Sequence, residues 1–341
     1  MATIAQALRL ALRYAETGLG VTNIFGQDVG PPLGGVFTVT QGLAHAWNTP
    51  LDERGIIGTA AGLAMIGVPS VCEIQFGDYI FNTVDLLRLV GNTCWSTRGQ
   101  FPMPMVLMTP VGAGIHGGIY HSHSIESLLT HLPGWKVVMP SNARDAYGLM
   151  VSAVLDGNPV AFLIPKALIR GGQAQLPGQP QDVGPLITTP VPARAGWTPQ
   201  WPPVEPFCTA IGPLSVVTRG SDLTLLSYGR MLHVTREALQ SQPLGERVEL
   251  LDLRTLVPYD RDALLASVAR TRRFLVVNED SSMTNFGEHL MRVVHEALPA
   301  TRMRLLAARH LPGVGLSQVL EDHTIPTAAD ILRAVEDLLA T

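Results

Sequence analysis

Lysine is almost missing from this chain of 341 residues: of 24 basic side chains only Lys136 and Lys166 are lysines, and the rest are arginines. With a formal net charge of −4 and no basic stripe, the composition argues against a nucleic-acid binder, which needs a cationic face for the phosphate backbone. Cysteine is scarce as well. Cys72, Cys94 and Cys208 stand far apart without CxxC spacing, so neither a zinc site nor a disulfide framework is indicated, and a reducing cytoplasm is expected. No apolar run approaches the ~18 residues needed to cross a bilayer, because Gly, Pro and polar residues interrupt each candidate, so no membrane partner is expected. The N-terminal IAQALRLALRYAETG sets Arg and Glu between apolar residues at helical spacing. It reads as a first structural helix rather than a signal peptide. Solenoid-type repeats are missing too.

What is present is apolar material for large cores, 46% of the residues, and a length that suggests two domains of roughly 100–200 residues each. From Val21 onward short apolar strands (NIFGQDV, SVCEIQF, MPMVLM, WKVVMP, VAFLIP) alternate with helical stretches. Strands that are apolar on consecutive positions belong to a parallel sheet covered on both faces. The helix GIIGTAAGLAMIG is rich in Gly and Ala, which permits close backbone approach either within the domain or to another subunit. Between 171 and 213 the chain turns dense in Pro, Gly and Gln and loses periodicity, as a linker does. A second α/β unit follows, with strands in DLTLLSYG, RVELLDLR and RFLVVNED. Its closing helix TAADILRAVEDLLA carries an apolar stripe at Ile331, Val335, Leu338 and Leu339. The expected organisation is therefore a first α/β domain over 1–170, a linker over 171–213 and a second over 214–341.

Gly112, Gly114 and Gly117 in VGAGIHGG satisfy G-x-G-x-x-G after an apolar strand. A dinucleotide site is disfavoured by context, since IYHSHS follows instead of an apolar helix and no ribose-binding acid closes the unit. A glycine-rich active-site loop explains the same residues better.

Several segments, read in order, resemble the β subunit of the decarboxylating component of 2-oxo acid dehydrogenases of the pyruvate, branched-chain and acetoin type. They are GQDVG (26–30), GGVFTVTQGL (34–43), NTPLDERGIIG (48–58), EIQFGDYIF (73–81), GGIYHSHS (117–124), PGWKVVMPSNARDAYGL (133–149) and GNPVAFLIPKALIR (157–170). GSDLTLLSYG (220–229) and LLDLRTLVPYD (250–260) resemble a transketolase C-terminal domain. The resemblance implies two transketolase-like domains, the first binding the pyrimidine of thiamine diphosphate.

On that resemblance Glu53 is the acid at the pyrimidine ring nitrogen that favours the imino tautomer needed for ylid formation. Taken alone, it could equally be an acidic residue in the first turn of a helix. Gln75 and Tyr79 fall where the family contacts the aminopyrimidine, the ring offering a stacking face. The rival reading is a strand end with one buried aromatic. Gln27 lies in the loop near the reactive end of the cofactor, where the family usually has Glu. His121 matches the active-site histidine that stabilises charge or passes a proton in acyl transfer. An alternative takes His116, His121 and His123 as metal ligands, although no nearby Cys or carboxylate completes such a set. A monovalent cation, potassium, is implied around Ala153, Val154, Asp156 and Asn158 with the backbone of Met105, while an Asp- and Asn-capped turn explains the same letters.

The chain has no Gly-Asp-Gly, the segment through which such enzymes hold Mg²⁺ on the diphosphate. The family carries it on an α subunit, so an assembly of two α and two β chains is expected, catalytically incomplete as β alone. The implied reaction forms the enamine from a small 2-oxo acid and passes the acyl group to a lipoyl carrier on an acyltransferase. The alternative uses the same carbon nucleophile for acyloin or ketone formation, as a carboligase. Departures from the family pattern are Gln27, the segment GNTCWSTRG (91–99), a longer linker with Trp197 and Trp201, and Asn278 before Glu279 where His is common.

Overall fold

The computed structural model describes residues 1–35, 37–174, 176, 201–242, 244 and 246–340. The chain divides into two compact units. One comprises Met1–Pro110, His131–Ile164 and Leu168–Ile211, the other Val111–Thr130, Pro165–Ala167 and Gly212–Thr341.

In the first unit, β1 (Ile24–Gly26), β2 (Ala46–Asn48), β3 (Ser70–Glu73), β4 (Met105–Val111), β5 (Lys136–Val138) and β6 (Val160–Pro165) lie side by side in the order β5-β6-β4-β3-β1-β2. The pairs β1–β2, β1–β3, β3–β4 and β5–β6 are all parallel. Every residue of β1, β3, β4 and β6 is buried, which is why these strands read as continuous apolar runs and not as alternating ones. Helix α1 (Ile4–Gly18) opens on a capping box between Thr3 and Gln6. It is followed by α2 (Glu53–Met65), α3 (Val84–Ser96) and α4 (Ala143–Leu155), the last capped by the Asn142 side chain.

In α2 the residues that meet the core are Ile56, Ile57, Ala60, Ala61 and Ala64. Gly58 and Gly62 face outward, with open space where a Cβ would stand. Packing inside the unit therefore does not use these glycines. Much of the expected linker (175 and 177–200, with Trp197) lies outside the described residues. Its last stretch is not a free tether: Trp201 sits under the Arg13 guanidinium, and Phe207 stacks on Tyr147 with ring centroids 4.7 Å apart.

The second unit holds β7 (Ser215–Thr218), β8 (Leu223–Ser227), β9 (Val248–Asp252), β10 (Arg273–Ser281) and β11 (Arg302–Ala308) in the order β11-β10-β8-β9-β7. Only the β7–β9 pair is antiparallel. Helices α5 (Gly229–Gln240), α6 (Arg261–Thr271), α7 (Phe286–Ala297), α8 (Gln318–Thr324) and α9 (Ala328–Leu339) complete it. The stripe expected on α9 is buried at Ile331, Val335 and Leu338, with Leu339 partly covered. No helix among the described residues is long and apolar enough to cross a membrane.

A buried charge anchors the loop that approaches the sheet ends. Arg9 of α1 is fully buried, and its Nε donates to the Thr38 carbonyl at 2.9 Å while Nη2 reaches the same carbonyl and Gln41 Oε1. Burial lowers the guanidinium pKa to about 10. Thr38 is held at φ +64°, a conformation that persists in a non-glycine residue only when its surroundings impose it. The anchored segment in turn holds the loop after β1: Gly35 N donates to the Asp28 carbonyl at 2.6 Å, and Thr40 Oγ1 to that of Val29 at 2.7 Å. Arg9→Leu leaves the Thr38 carbonyl without its donor, so the free energy of unfolding in urea is expected to drop by about 1–3 kcal/mol. An unchanged unfolding midpoint would show that the anchor contributes nothing.

Candidate active site

Strands β2, β1 and β3 are adjacent and parallel, so their carboxyl ends emerge on one side, where open parallel sheets place ligands. Gln27 and Asp28 follow β1, Gln75 follows β3, and the chain after β2 enters α2 at Glu53. Gly26 ends β1 because a Cβ there would stand 2.5 Å from the Glu73 carbonyl oxygen.

Glu53 is the first residue of α2, as a first-turn acid would be, but its carboxylate is not spent on capping the helix. Gln27 Nε2 donates to Oε1 at 3.0 Å, and Asn82 Nδ2 donates to Oε2 at 3.1 Å. Two amide donors from different loops thus fix both oxygens of one carboxylate. Gln27 is 9% exposed, and its Oε1 is buried without a hydrogen-bond partner. A buried acceptor left in that state is costly unless a donor arrives.

Gln75 Nε2 donates to Asp28 Oδ2, so the consecutive residues Gln27 and Asp28 tie Glu53 and Gln75 to a single loop. Tyr79 lies in the 3₁₀ turn Gly77–Thr83, its ring edge-on to Phe76 with centroids 5.8 Å apart. Burial raises its phenol pKa, and the negative charges of Asp78 and Glu53 raise it further. Tyr79 therefore lies near enough to Glu53 to feel its charge.

Asn82 was not singled out by the sequence. It sits three residues after Tyr79 in a 3₁₀ turn, where residues i and i+3 eclipse. Its carbonyl accepts from Arg54 Nη1 at 2.9 Å, and Arg54 also forms a two-pronged ion pair with Asp85 at 2.5 and 3.0 Å. That pair raises the Arg54 pKa and lowers that of Asp85. The residue next to Glu53 thus orients the amide that holds Glu53.

His121 belongs to the second unit. It follows the 3₁₀ turn Gly118–Tyr120, and its Nδ1 lies 3.3 Å from the Gly117 carbonyl oxygen. Gly112 and Gly114 adopt φ +86° and +90°. Their missing Cβ positions are taken by the Glu279 carboxylate and by Ala167 and Arg230. The glycines of the G-x-G-x-x-G string thus admit protein side chains to the loop backbone. Among the described residues no three His, Cys, Asp or Glu side chains converge to hold a metal; His116 instead has Nδ1 3.9 Å from Glu321 Oε2.

Of the residues expected around a monovalent cation, Ala153, Asp156 and Asn158 share a turn at the end of α4. Asp156 N donates to the Ala153 carbonyl at 3.3 Å, and Asp156 Oδ1 accepts from Asn158 N and Nδ2 at 3.0 and 2.8 Å. Oδ2 is taken by the Lys136 ammonium. Although burial opposes it, the Asp156 pKa is lowered by Lys136 and Asn158. Lys136 thus gives Asp156 a cationic partner from this chain.

The profile described as "Transketolase, pyrimidine binding domain" matches residues 2–171, and "Transketolase, C-terminal domain" matches 212–331. Over 304 residues the sequence is 35% identical to a 2-oxoisovalerate dehydrogenase subunit beta of Pseudomonas aeruginosa, spanning 86% of this chain and 82% of the relative. The chain belongs to the β-subunit family of 2-oxo acid dehydrogenases. A second family member, a pyruvate dehydrogenase E1 component subunit beta of Acholeplasma laidlawii, is 33% identical over 302 residues, covering 86% of this chain and 84% of its own length. In fold alone the chain also resembles a solved structure titled as a split gene transketolase, an inactive beta4 tetramer, with TM-score 0.74 and 19% identity over 100% and 99% of the two chains.

Gln27 sets a neutral amide against the Glu53 carboxylate, and an acid in its place would change that contact. A Glu at 27 would bring a second carboxyl to Glu53, and two carboxyls at hydrogen-bond distance cannot both ionise. Gln27→Glu is expected to create a pair that shares a proton in the folded state, while the unfolded residues titrate near about pH 4.3. The folded variant then binds more protons than the unfolded one, so its stability should fall, relative to the parent chain, as pH rises from about 4 to 8. Urea titrations across that range check it; parallel pH profiles for the two proteins would count against the carboxyl contact.

Proposed function

We propose that the chain is the β subunit of a thiamine-diphosphate-dependent 2-oxo acid dehydrogenase, decarboxylating a 2-oxo acid and delivering the acyl group to a lipoyl carrier only when joined to an α chain. The observation that carries this is the Glu53 carboxylate, presented at the carboxyl ends of parallel strands and gripped by Gln27 and Asn82. The pyrimidine half of the cofactor fits the residues present: Glu53 for the ring nitrogen, the unpaired Gln27 Oε1 for an exocyclic amine, and the Tyr79 ring for stacking.

When bound, thiamine diphosphate supplies a carbon nucleophile at its thiazolium ring. The chain's own part is to hold a carboxylate ready for a ring-nitrogen proton, to keep the pyrimidine in register, and to offer the His121 imidazole for charge or proton transfer. With no Gly-Asp-Gly in the chain, the Mg²⁺–diphosphate half is assigned to the α subunit, since that ion needs a hard-oxygen octahedral site. The outward face of α2 supports a partner chain: Gly58 and Gly62 leave open space, with Met65 and Ile66 exposed on the same face. Leu51, at 83% exposure, and Trp95, at 89%, add large apolar surface. Trp95 lies in the GNTCWSTRG segment, one of the departures from the family pattern.

The purified chain alone is expected to release no carbon dioxide from 2-oxo acids, and co-expression with its α chain to restore turnover. In the complex, Glu53→Gln should lower turnover by about 100-fold or more. Strong activity of the isolated chain, or a fully active Glu53→Gln complex, would overturn the assignment. Supplying an aldehyde in place of an electron acceptor separates the carboligase alternative: product formed only with the aldehyde would replace the dehydrogenase reading.

A further inference from the structure

The segment from Gly112 to Ser127 carries His116, His121 and His123, and its Gly112 N donates to the His123 carbonyl at 3.0 Å. Four of its residues are left-handed: Gly112, Gly114, His116 at φ +55° and Gly118 at φ +62°. Such a path persists only where neighbours fix it, and buried backbone N–H groups in it must find acceptors. Here the acceptors are carboxylates from far along the chain. Glu279 Oε2 accepts from Ala113 N at 3.1 Å, Glu321 Oε2 from Gly114 N at 3.3 Å, and Asp280 Oδ2 from Ser127 N at 2.9 Å. All three carboxylates are buried.

Arg230 ties two of them together, with Nη1 3.4 Å from Glu279 Oε2 and Nη2 3.2 Å from Glu321 Oε1. Burial raises the Glu279 pKa, while Arg230, the Ala113 N–H and Lys166 act against that rise. At the other end, burial with Asp280 beside it pushes the Glu126 carboxyl well above its usual range. Burial raises the Asp280 pKa as well, and the hydrogen bonds from Ser127 act against that rise. Ser127 is fixed a second time, its Oγ accepting from Phe286 N at 3.1 Å. Buried charges are costly, and a packed apolar end would hold the unit together at least as well. What carboxylates add is direction, since charge-assisted bonds to backbone N–H groups set where a loop lies.

We propose that Glu279, Glu321 and Asp280 are positioning residues, clamping both ends of the Gly112–Ser127 loop so that His121 is presented in its working place. This rests on the catalytic reading of His121 given above. A positioning role differs from a merely structural one in what happens once the positioned group is gone.

The experiment is a double-mutant cycle on the assembled two-chain enzyme, reading kcat, KM and thiamine diphosphate affinity. Glu321→Leu removes the acceptor for Gly114 and is expected to lower kcat about tenfold, with KM and cofactor affinity little changed. Glu321→Gln keeps a carbonyl oxygen for the Gly114 N–H and should recover most of that loss. In a His121→Ala background, which has its own reduced kcat, neither Glu321 variant should lower kcat further. If Glu321→Leu does not fold, the smaller loss in Glu321→Gln is followed through the same cycle.

A Glu321 effect that persists undiminished on top of His121→Ala overturns the proposal, as does wild-type kcat in both Glu321 variants. Full activity of His121→Ala also overturns it, by removing what is positioned. Glu53→Gln measured alongside keeps that result distinct, because an inactive Glu53→Gln complex leaves the cofactor assignment standing.

Discussion

Everything at the sheet ends of the first unit depends on one carboxylate held by two amides. Glu53 opens the helix α2, and Gln27 and Asn82 each donate to one of its carboxylate oxygens. Neither donor can itself ionise, so the two bonds add no charge beside that of Glu53. The supports of those donors reach far into the unit. Arg9 of the first helix fixes the loop that fixes Asp28, the neighbour of Gln27. Arg54 and Asp85 fix the backbone of Asn82.

On the proposed reading, the same economy leaves this chain with half of a cofactor site. A pyrimidine needs a carboxylate, an acceptor and an aromatic face, all of which loops after parallel strands can present. A diphosphate with its magnesium needs several hard oxygens converging on one ion. The chain's sequence has no Gly-Asp-Gly, and α2 turns open glycines outward instead of inward. Close approach by a second backbone is what such a face permits.

Much of the architecture was legible in the sequence because buried parallel strands write continuous apolar runs and amphipathic helices write a 3.6-residue period. IAQALRLALRYAETG became the helix Ile4–Gly18, and the α9 stripe fell where its spacing put it. Glu53, Gln75, Tyr79 and Gln27 were legible only through family resemblance, since a lone acid in a first helical turn carries no signal of its own. The structure brings these four onto neighbouring strand ends. Asn82 left no trace because a 3₁₀ turn of seven residues has no periodic pattern long enough to read. The carboxylates around the His121 loop were equally invisible: Ala113 and Glu279 are 166 positions apart, and only the fold brings them together. The linker reading missed that its final aromatics, Trp201 and Phe207, pack against α1 and α4, because Pro-rich composition says nothing about docking.

The two units solve opposite problems with the same kind of bond. In the first, side-chain amides surround a carboxylate that must stay available, so the holders are neutral and replaceable, and a ligand nitrogen can enter the arrangement without breaking an ion pair. In the second, carboxylates hold backbone amides that must stay where they are, so the holders are charged, buried and cross-linked through Arg230. A neutral holder yields at modest free-energy cost, and a buried ion pair does not.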